Sequence, residues 1–385
     1  MFIDRLALGF LASYVATDLA LTNFQLGLLS SSFSLSFALS GYGISSISDR
    51  AGNRRTFLVG CTLAFSLLSA ATGLTRGFVF LLVVRLLLGV SEGPVLPLLQ
   101  SVMIPASSAS RRAFNAAFLQ NVAPFLLGQL LGPILLTHLA EAVTWRVTFL
   151  LSAVPGLVLV PILHRLIGRS SPAPTFSTGA RKPDYSSRVK LFRIRNLMLC
   201  VGIAACTGTW ILLLNMFLPL YLVRMGGYPV TKMGLIVSLL GVGGCLSSLT
   251  LPPLSDRIGR KPVLIGGLSL GLVAPLGALL ALHNPEVLMI AVALGGLALG
   301  CTPLTITLVP ADSVPPHALA RAIALTSASS AVIGGVIMPA LAGRLADRWG
   351  LQIPIIIALG AACIGVLVAF GLEGRPAREL ISEAS

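Results

Sequence analysis

Long stretches without charge restrict this chain to a small set of folds. Eleven runs of 17 or more residues are apolar and uncharged or nearly so. A helix needs about 20 apolar residues to cross roughly 30 Å of hydrocarbon. Only 10% of the residues are charged, against about 25% in soluble domains. We therefore predict an all-α polytopic membrane protein. The runs occupy residues 25–47, 56–74, 78–103, 113–140, 147–163, 196–223, 233–253, 263–282, 287–311, 322–343 and 351–372.

A twelfth run, at the start of the chain, is short. After Asp4 and Arg5 only residues 6–17 are uncharged, and twelve residues do not cross the hydrocarbon core as a helix. A charged pair followed directly by a second apolar run is not typical of a cleaved signal peptide. We expect this run to be the second part of a first span whose beginning is absent from the sequence. The prediction is thus one partial and eleven complete spans.

The basic residues indicate how the spans are oriented. With loops numbered from the first span, the even-numbered loops and the C-terminal tail carry 19 Lys and Arg residues, and the odd-numbered loops carry 6. Cytoplasmic loops are enriched in Lys and Arg, which predicts a bacterial inner-membrane protein with both termini in the cytoplasm. The net charge of +14 lies in short clusters between apolar runs. This distribution favours an orienting role over nucleic-acid binding.

The runs divide the chain into two halves. We predict an N-terminal bundle at 1–167, a basic cytoplasmic linker at 168–194, a C-terminal bundle at 195–373 and a cytoplasmic tail at 374–385. The linker fits a solvated segment near anionic headgroups. A shift of 207 positions aligns the halves: Gly27 meets Gly234, and Ser31 meets Ser238. Parallel six-span repeats place a substrate site between the halves, near the midplane.

One loop occurs twice at corresponding places. It carries an Asp-Arg-x-Gly-x-basic pattern after the second and the eighth span, at Asp49, Arg50, Gly52 and Arg54 and again at Asp256, Arg257, Gly259 and Lys261. This repeated loop resembles the signature of the major facilitator superfamily. The resemblance implies two six-helix bundles and loops that latch them together on the cytoplasmic side. A related stretch at 343–350 precedes the last span. We interpret it as a helix-ending turn with local pairing, not as a third latch.

Four charged residues fall inside apolar runs: Asp4, Arg5, Arg85 and Glu92. Each costs about 2.5 to 3.5 kcal/mol on insertion scales, so such residues are paired or face an aqueous cavity. Arg85 and Glu92 are seven residues apart, about 10.5 Å of helical rise, and share one helix face. Gly89 between them is expected to leave that face open. An alternative is that Arg85 and Glu92 form a buried structural pair.

The stretch Arg85–Gly93, together with Asp4 and Arg5, resembles the anion:cation symporter branch of the superfamily. The resemblance implies that Asp4 and Glu92 take protons, while Arg5 and Arg85 face an anionic substrate. Protonation of either acid would release an Arg to hold a carboxylate, which couples the proton and the anion.

Uncharged polar residues in the spans are further candidates for substrate contacts. Gln120, Asn121 and Asn215 are the preferred ones, because amides can hold hydroxyls or carboxylates. Weaker candidates are Asn115, Gln129, Trp210, Pro219, Tyr221, Thr302, Thr305 and Ser327.

The leading hypothesis is a proton-driven secondary carrier of a small carboxylate. The alternative is an efflux antiporter for an apolar or cationic solute, because the stretch with Gly128, Gly132 and Pro133 partly resembles an element of drug–proton antiporters. A third possibility is a transport-dead sensor. No nucleophile–base set, metal cluster or phosphate loop is visible, so an enzyme is disfavoured and no cofactor is expected. We expect a monomer whose partners are the bilayer, protons and the solute.

Overall fold

Twelve helices run through the part of the chain that the structure describes. The structure is a computed structural model, and it describes residues 1–51, 53–108, 111, 115, 118–167, 191–315 and 318–373. The predicted all-α architecture is confirmed. In chain order the helices are α1 (Phe2–Phe10, continued by Ala12–Asp18), α2 (Asn23–Ala51), α3 (Arg54–Gly73), α4 (Phe78–Ile104), α5 (Phe118–Ala142), α6 (Trp145–Leu166), α7 (Arg195–Arg224), α8 (Val230–Ile258), α9 (Arg260–Leu280), α10 (Pro285–Ser313), α11 (Leu319–Trp349) and α12 (Gln352–Phe370).

Ten of these helices, α3 to α12, are long and apolar enough to cross a membrane, so the chain is an integral multi-pass membrane protein. Helix α1 consists of two short segments of 9 and 7 residues. Helix α2 has 29 residues and is long enough, but its nine serines lower its hydropathy. The run at 25–47 is therefore helical as predicted, but it is more polar than a typical span.

The serines of α2 lie mainly inside the protein. Ser32 and Ser36 are buried, and their hydroxyls donate to backbone carbonyls one turn earlier in the same helix. The Ser40 hydroxyl donates across to the Gly89 carbonyl of α4 at 3.1 Å. Hydroxyls bonded in this way avoid the cost of an unsatisfied polar group in hydrocarbon. Helix α2 can thus be polar because its serines face neighbouring helices.

The two halves, α1–α6 and α7–α12, meet along three helix pairs: α2 with α11, α5 with α8, and α1 with α7. Each pair approaches closely at a glycine. A Cβ atom on Gly27 of α2 would lie 2.1 Å from the Pro339 carbonyl oxygen of α11, and one on Gly234 of α8 would lie 3.0 Å from the Pro133 carbonyl oxygen of α5. The residues aligned by the 207-residue repeat therefore occupy matching close contacts.

The ends of the bundle differ in how tightly the halves are joined. We call the end that carries the loops α2–α3 and α8–α9 the basic face and the other end the opposite face. The α2–α11 contact runs from Asn23 to about Ser34, which lies against Gly335. Beyond Ser34, toward the basic face, Leu39 and Tyr42 of α2 are 67% and 84% exposed. Along α2 and α11 the halves are thus in contact at the opposite face, whereas these α2 side chains are exposed toward the basic face.

Candidate functional site

Helix α4 carries two charged side chains into the protein interior. Arg85 is 2% exposed and Glu92 is fully buried. The helix is interrupted directly after Glu92, where it ends before Gly93-Pro94 and resumes at Val95. Proline cannot donate a backbone hydrogen bond in a helix, so the interruption is local in origin. Glu92 thus occupies a helix end in the middle of a span.

The glycines beside these charges serve helix packing. A Cβ atom on Gly89 would lie 2.1 Å from the Ser36 hydroxyl of α2, and one on Gly93 would lie 2.3 Å from the Phe37 carbonyl oxygen. Small residues allow such close approach between membrane helices. The expectation that Gly89 leaves an open face is therefore wrong, because α2 fills that space.

A small cavity lies between the two halves beside Arg85. Helices α1, α2, α4 and α7 form it, and its volume is about 40 Å³. Its lining includes Arg5, Ser30, Phe33, Ser34, Arg85 and Asn215. A site for one water needs about 10–15 Å³, so the cavity has room for roughly three waters. Two arginines and one amide predicted from the sequence therefore meet at one place.

Arg85 and Glu92 do not form the buried pair considered above. Both carboxylate oxygens of Glu92, and Nε and Nη2 of Arg85, are buried without a hydrogen-bond partner among the described residues. The Arg85 guanidinium carbon lies 6.0 Å from the ring centre of Phe149, and that of Arg5 lies 4.6 Å from the ring centre of Phe37. Cation–π contacts at these distances replace only part of an ion pair.

Asp4 faces a different neighbourhood from Arg5. The Ser69 hydroxyl of α3 donates to Asp4 Oδ1 at 2.7 Å, and it lies 2.9 Å from the Ser152 hydroxyl of α6. The amino group of Met1 is 2.9 Å from Asp4 Oδ2. Consecutive helix residues point about 100° apart, which explains why Arg5 lines the cavity while Asp4 is held by hydroxyls behind it.

Asn215 is bonded to the other half of the molecule. Gln129 Nε2 of α5 donates to Asn215 Oδ1 of α7 at 2.7 Å, and both side chains are buried. Gln129 is among the weaker sequence candidates for substrate contact. Its amide group inside an apolar run is the sequence signal that favours it. Of the preferred amides, Gln120 is exposed and its Oε1 accepts a bond from Gln100. Gln120 and Asn121 are not part of the cavity lining, and their predicted substrate role stays a prediction.

The glycines of the antiporter-like stretch pack against α1. A Cβ atom on Gly128 would lie 3.0 Å from the Phe2 carbonyl oxygen, and one on Gly132 would lie 3.4 Å from the Phe10 ring. Close packing of α1 on α5 accounts for Gly128, whereas the contact at Gly132 is an ordinary van der Waals distance.

The second of the repeated loops is held within its own half. Arg260 Nη1 donates to Asp256 Oδ1 at 2.5 Å and its Nε to Asp312 Oδ2 at 3.1 Å. Gly259 has a φ of +99°, a conformation that favours glycine. Arg257 is exposed and Lys261 is partly buried.

In the first loop, Arg50 is exposed and Arg54 Nη1 donates to the Ser101 carbonyl of α4 at 3.5 Å. The side chain of Asp49, the residue Gly52, linker residues 168–190 and the tail 374–385 lie outside the described residues. The latch role of both loops therefore stays a prediction.

Comparison with known proteins identifies the family. The model of the Major Facilitator Superfamily matches residues 1–230 and 227–385. The chain belongs to the Major Facilitator Superfamily. The resemblance predicted from the repeated loops is thereby confirmed. Because this is a family of membrane transporters, the chain is a transport protein and not an enzyme.

Curated relatives of this superfamily member are themselves transporters. The chain is 28% identical over 265 residues to the hexuronate transporter of Bacillus subtilis, a match that spans 68% of this chain and 62% of that protein. It is 27% identical over 378 residues to the 3-(3-hydroxy-phenyl)propionate transporter of Escherichia coli, with 95% and 86% of the two chains covered. The first match thus spans less than two thirds of its relative.

Solved structures share the fold at low sequence identity. A bacterial homolog of the human lysosomal transporter Spinster, in an inward-facing and occupied conformation, matches with a TM-score of 0.74 at 18% identity and covers 96% of this chain and 93% of its own. The D-xylose–proton symporter matches with a TM-score of 0.72 at 17% identity, covering 96% and 94%. These structures support the twelve-helix fold.

Proposed function

We propose that this transporter moves a small carboxylate together with a proton by alternating access between its two halves. One observation carries the proposal: Arg5 and Arg85 line the same cavity between the halves, and the buried Glu92, on the same helix as Arg85, has no hydrogen-bond partner for its carboxylate among the described residues. An anion could replace the missing partner of Arg85. The named substrates of two relatives, a hexuronate and a hydroxyphenylpropionate, both carry a carboxylate group.

Arginine suits this role for reasons of geometry. Its guanidinium is planar, always charged, and presents a fork of donors that matches a carboxylate. Two arginines beside one cavity therefore favour an anion over the cationic or apolar solute of the alternative antiporter. Asn215 adds a neutral amide from the other half, so a bound solute would touch both halves at once. This contact would tie solute binding to the relative position of the halves.

Glu92 is the proposed proton site. A buried carboxylate without a partner is far more costly in its charged form than in its neutral form. Conversely, a charged Glu92 would be favoured when Arg85 is free to approach it. Binding of the anion to Arg85 would thus favour a proton on Glu92, and the two ligands would bind with positive coupling. Asp4 is the second proposed proton site, held by Ser69.

The proposal is tested by transport into proteoliposomes. Labelled glucuronate and 3-hydroxyphenylpropionate serve as probes, with an imposed pH gradient as the driving force. We expect uptake of at least one carboxylate against its gradient, and no accumulation when a protonophore collapses the pH difference. Accumulation of a lipophilic cation instead, or proton-independent equilibration of all solutes, would contradict the proposal.

A further inference from the structure

The first turn of α2 satisfies half of its own hydrogen-bond donors. A helix begins with four backbone N–H groups that have no partner within the helix. The Gln25 N–H donates to the Thr22 hydroxyl at 3.1 Å, and the Thr22 N–H donates to Gln25 Oε1 at 3.0 Å. This reciprocal arrangement is a capping box. It leaves the N–H groups of Asn23 and Phe24 to be satisfied from elsewhere.

Asp347, in the last turn of α11, accepts both remaining donors. Its Oδ1 accepts from the Asn23 N–H at 2.8 Å, and its Oδ2 accepts from the Phe24 N–H at 2.9 Å. A carboxylate at a helix N-terminus also interacts favourably with the helix dipole. The predicted helix-ending turn at 343–350 is present, since α11 ends at Trp349 and Gly350 has a φ of +98°. The predicted local pairing is wrong, because the partners of Asp347 lie more than 320 residues away.

This contact closes the end of a longer interface between the halves. A Cβ atom on Gly343 would lie 2.3 Å from the Asn23 carbonyl oxygen, and the Ala340 N–H donates to the Ser31 hydroxyl at 3.2 Å. Helix α2 belongs to the N-terminal half and α11 to the C-terminal half. Any motion that opens the opposite face along this interface must break both hydrogen bonds to Asp347.

The related interface between α5 and α8 differs at the matching position. Pro133 occupies the place there that Pro339 occupies on α11, and Glu141 follows Pro133 by eight residues as Asp347 follows Pro339. The Glu141 side chain is exposed, and the start of α8 lacks a side-chain cap. Of these two matching acids, Asp347 is therefore the one that caps a helix of the other half.

We propose that Asp347 is a gating residue, which holds the opposite face closed by capping α2 across the two halves. The proposal rests on the alternating-access fold and not on which solute is carried. Loss of the cap would shift the equilibrium toward the state open at the opposite face by about tenfold, which corresponds to about 1.4 kcal/mol.

Hydrogen–deuterium exchange of the full-length protein in lipid nanodiscs tests this role. In Asp347→Ala, we expect faster exchange across residues 23–34 and 335–349, and slower exchange across residues 35–50, because the basic face closes as the opposite face opens. Asp347→Asn keeps one acceptor oxygen and should show a smaller shift of the same kind. Glu141→Gln removes the matched acid and should exchange like the unchanged protein.

Two results would overturn the gating role. Exchange that becomes faster only in the first turn of α2, with residues 35–50 unchanged, would show a local cap without influence on the two halves. Unchanged exchange in both Asp347 variants would show that the contact contributes nothing to closure. Neither readout depends on transport, so failure of the proposed carboxylate symport would leave this test intact.

Discussion

Replacing Glu92 by glutamine separates proton coupling from solute binding. Glutamine has nearly the same shape as glutamic acid and is neutral at every pH, so it imitates the protonated side chain. Because neither carboxylate oxygen of Glu92 has a hydrogen-bond partner among the described residues, the change removes no contact that the structure shows. We therefore expect Glu92→Gln to fold, with a melting temperature equal to or above that of the unchanged protein.

The size of the transport defect follows from the energy in a pH gradient. One pH unit stores about 1.36 kcal/mol per proton, which supports about tenfold accumulation of a solute that moves with one proton. If Glu92 alone carries the proton, a two-unit gradient drives about hundredfold accumulation in the unchanged protein. In Glu92→Gln the accumulation ratio should fall to about one. Exchange of labelled for unlabelled solute should persist, since Arg5 and Arg85 still line the cavity.

The assay is uptake into proteoliposomes at a fixed internal pH and a stepped external pH, with solute exchange at equal pH measured in parallel. Glu141→Gln serves as the matched control, because Glu141 is an exposed acid at the end of α5 and should leave both activities unchanged. Undiminished pH-driven accumulation in Glu92→Gln would refute the argument. Loss of exchange together with accumulation would instead show that Glu92 holds the site together and is not the proton carrier.

Three further changes test the site and the interface. Arg85→Lys should raise the KM for a carboxylate about tenfold in exchange assays with little change in melting temperature, because lysine lacks the planar fork. Gln129→Leu should raise KM about three- to tenfold, since it removes a buried 2.7 Å hydrogen bond to Asn215 worth about 1 kcal/mol. An unchanged KM would mean that substrate binding does not depend on this hydrogen bond. Gly27→Val should abolish transport, since its Cβ would lie 2.1 Å from the Pro339 carbonyl oxygen, whereas Gly43→Val, with nothing within 4 Å, should transport normally.

Much of the architecture is predictable from the amino-acid sequence. Apolar runs and their boundaries follow from local sequence, because each span must satisfy its own length and hydropathy in the bilayer. The 207-residue repeat predicts two related halves, and the charges at positions 4, 5, 85 and 92 are conspicuous because intramembrane charge is costly. The serine-rich α2 was harder to judge, since its polarity is tolerated only where its hydroxyls meet neighbouring helices.

Which neighbouring helix each side chain contacts could not be predicted from hydropathy and the repeat. Gln120 and Gln129 both lie in α5. Only the packing of α5 against α1 and α8 buries Gln129 and leaves Gln120 exposed. Likewise, the sequence allows Gly89 to line a cavity or to pack against another helix. In the structure it packs against α2.

The helices, their two-fold repetition and the identity of the buried charges thus follow from the amino-acid sequence, because these depend on neighbours along the chain. Which polar groups meet depends on how the helices pack. The bond between Gln129 and Asn215 joins residues 86 positions apart, and Asp347 reaches the start of α2 from the far end of the chain. Such pairs are set by how whole helices pack, since hydropathy fixes that a residue lies in a span but not which helix it faces.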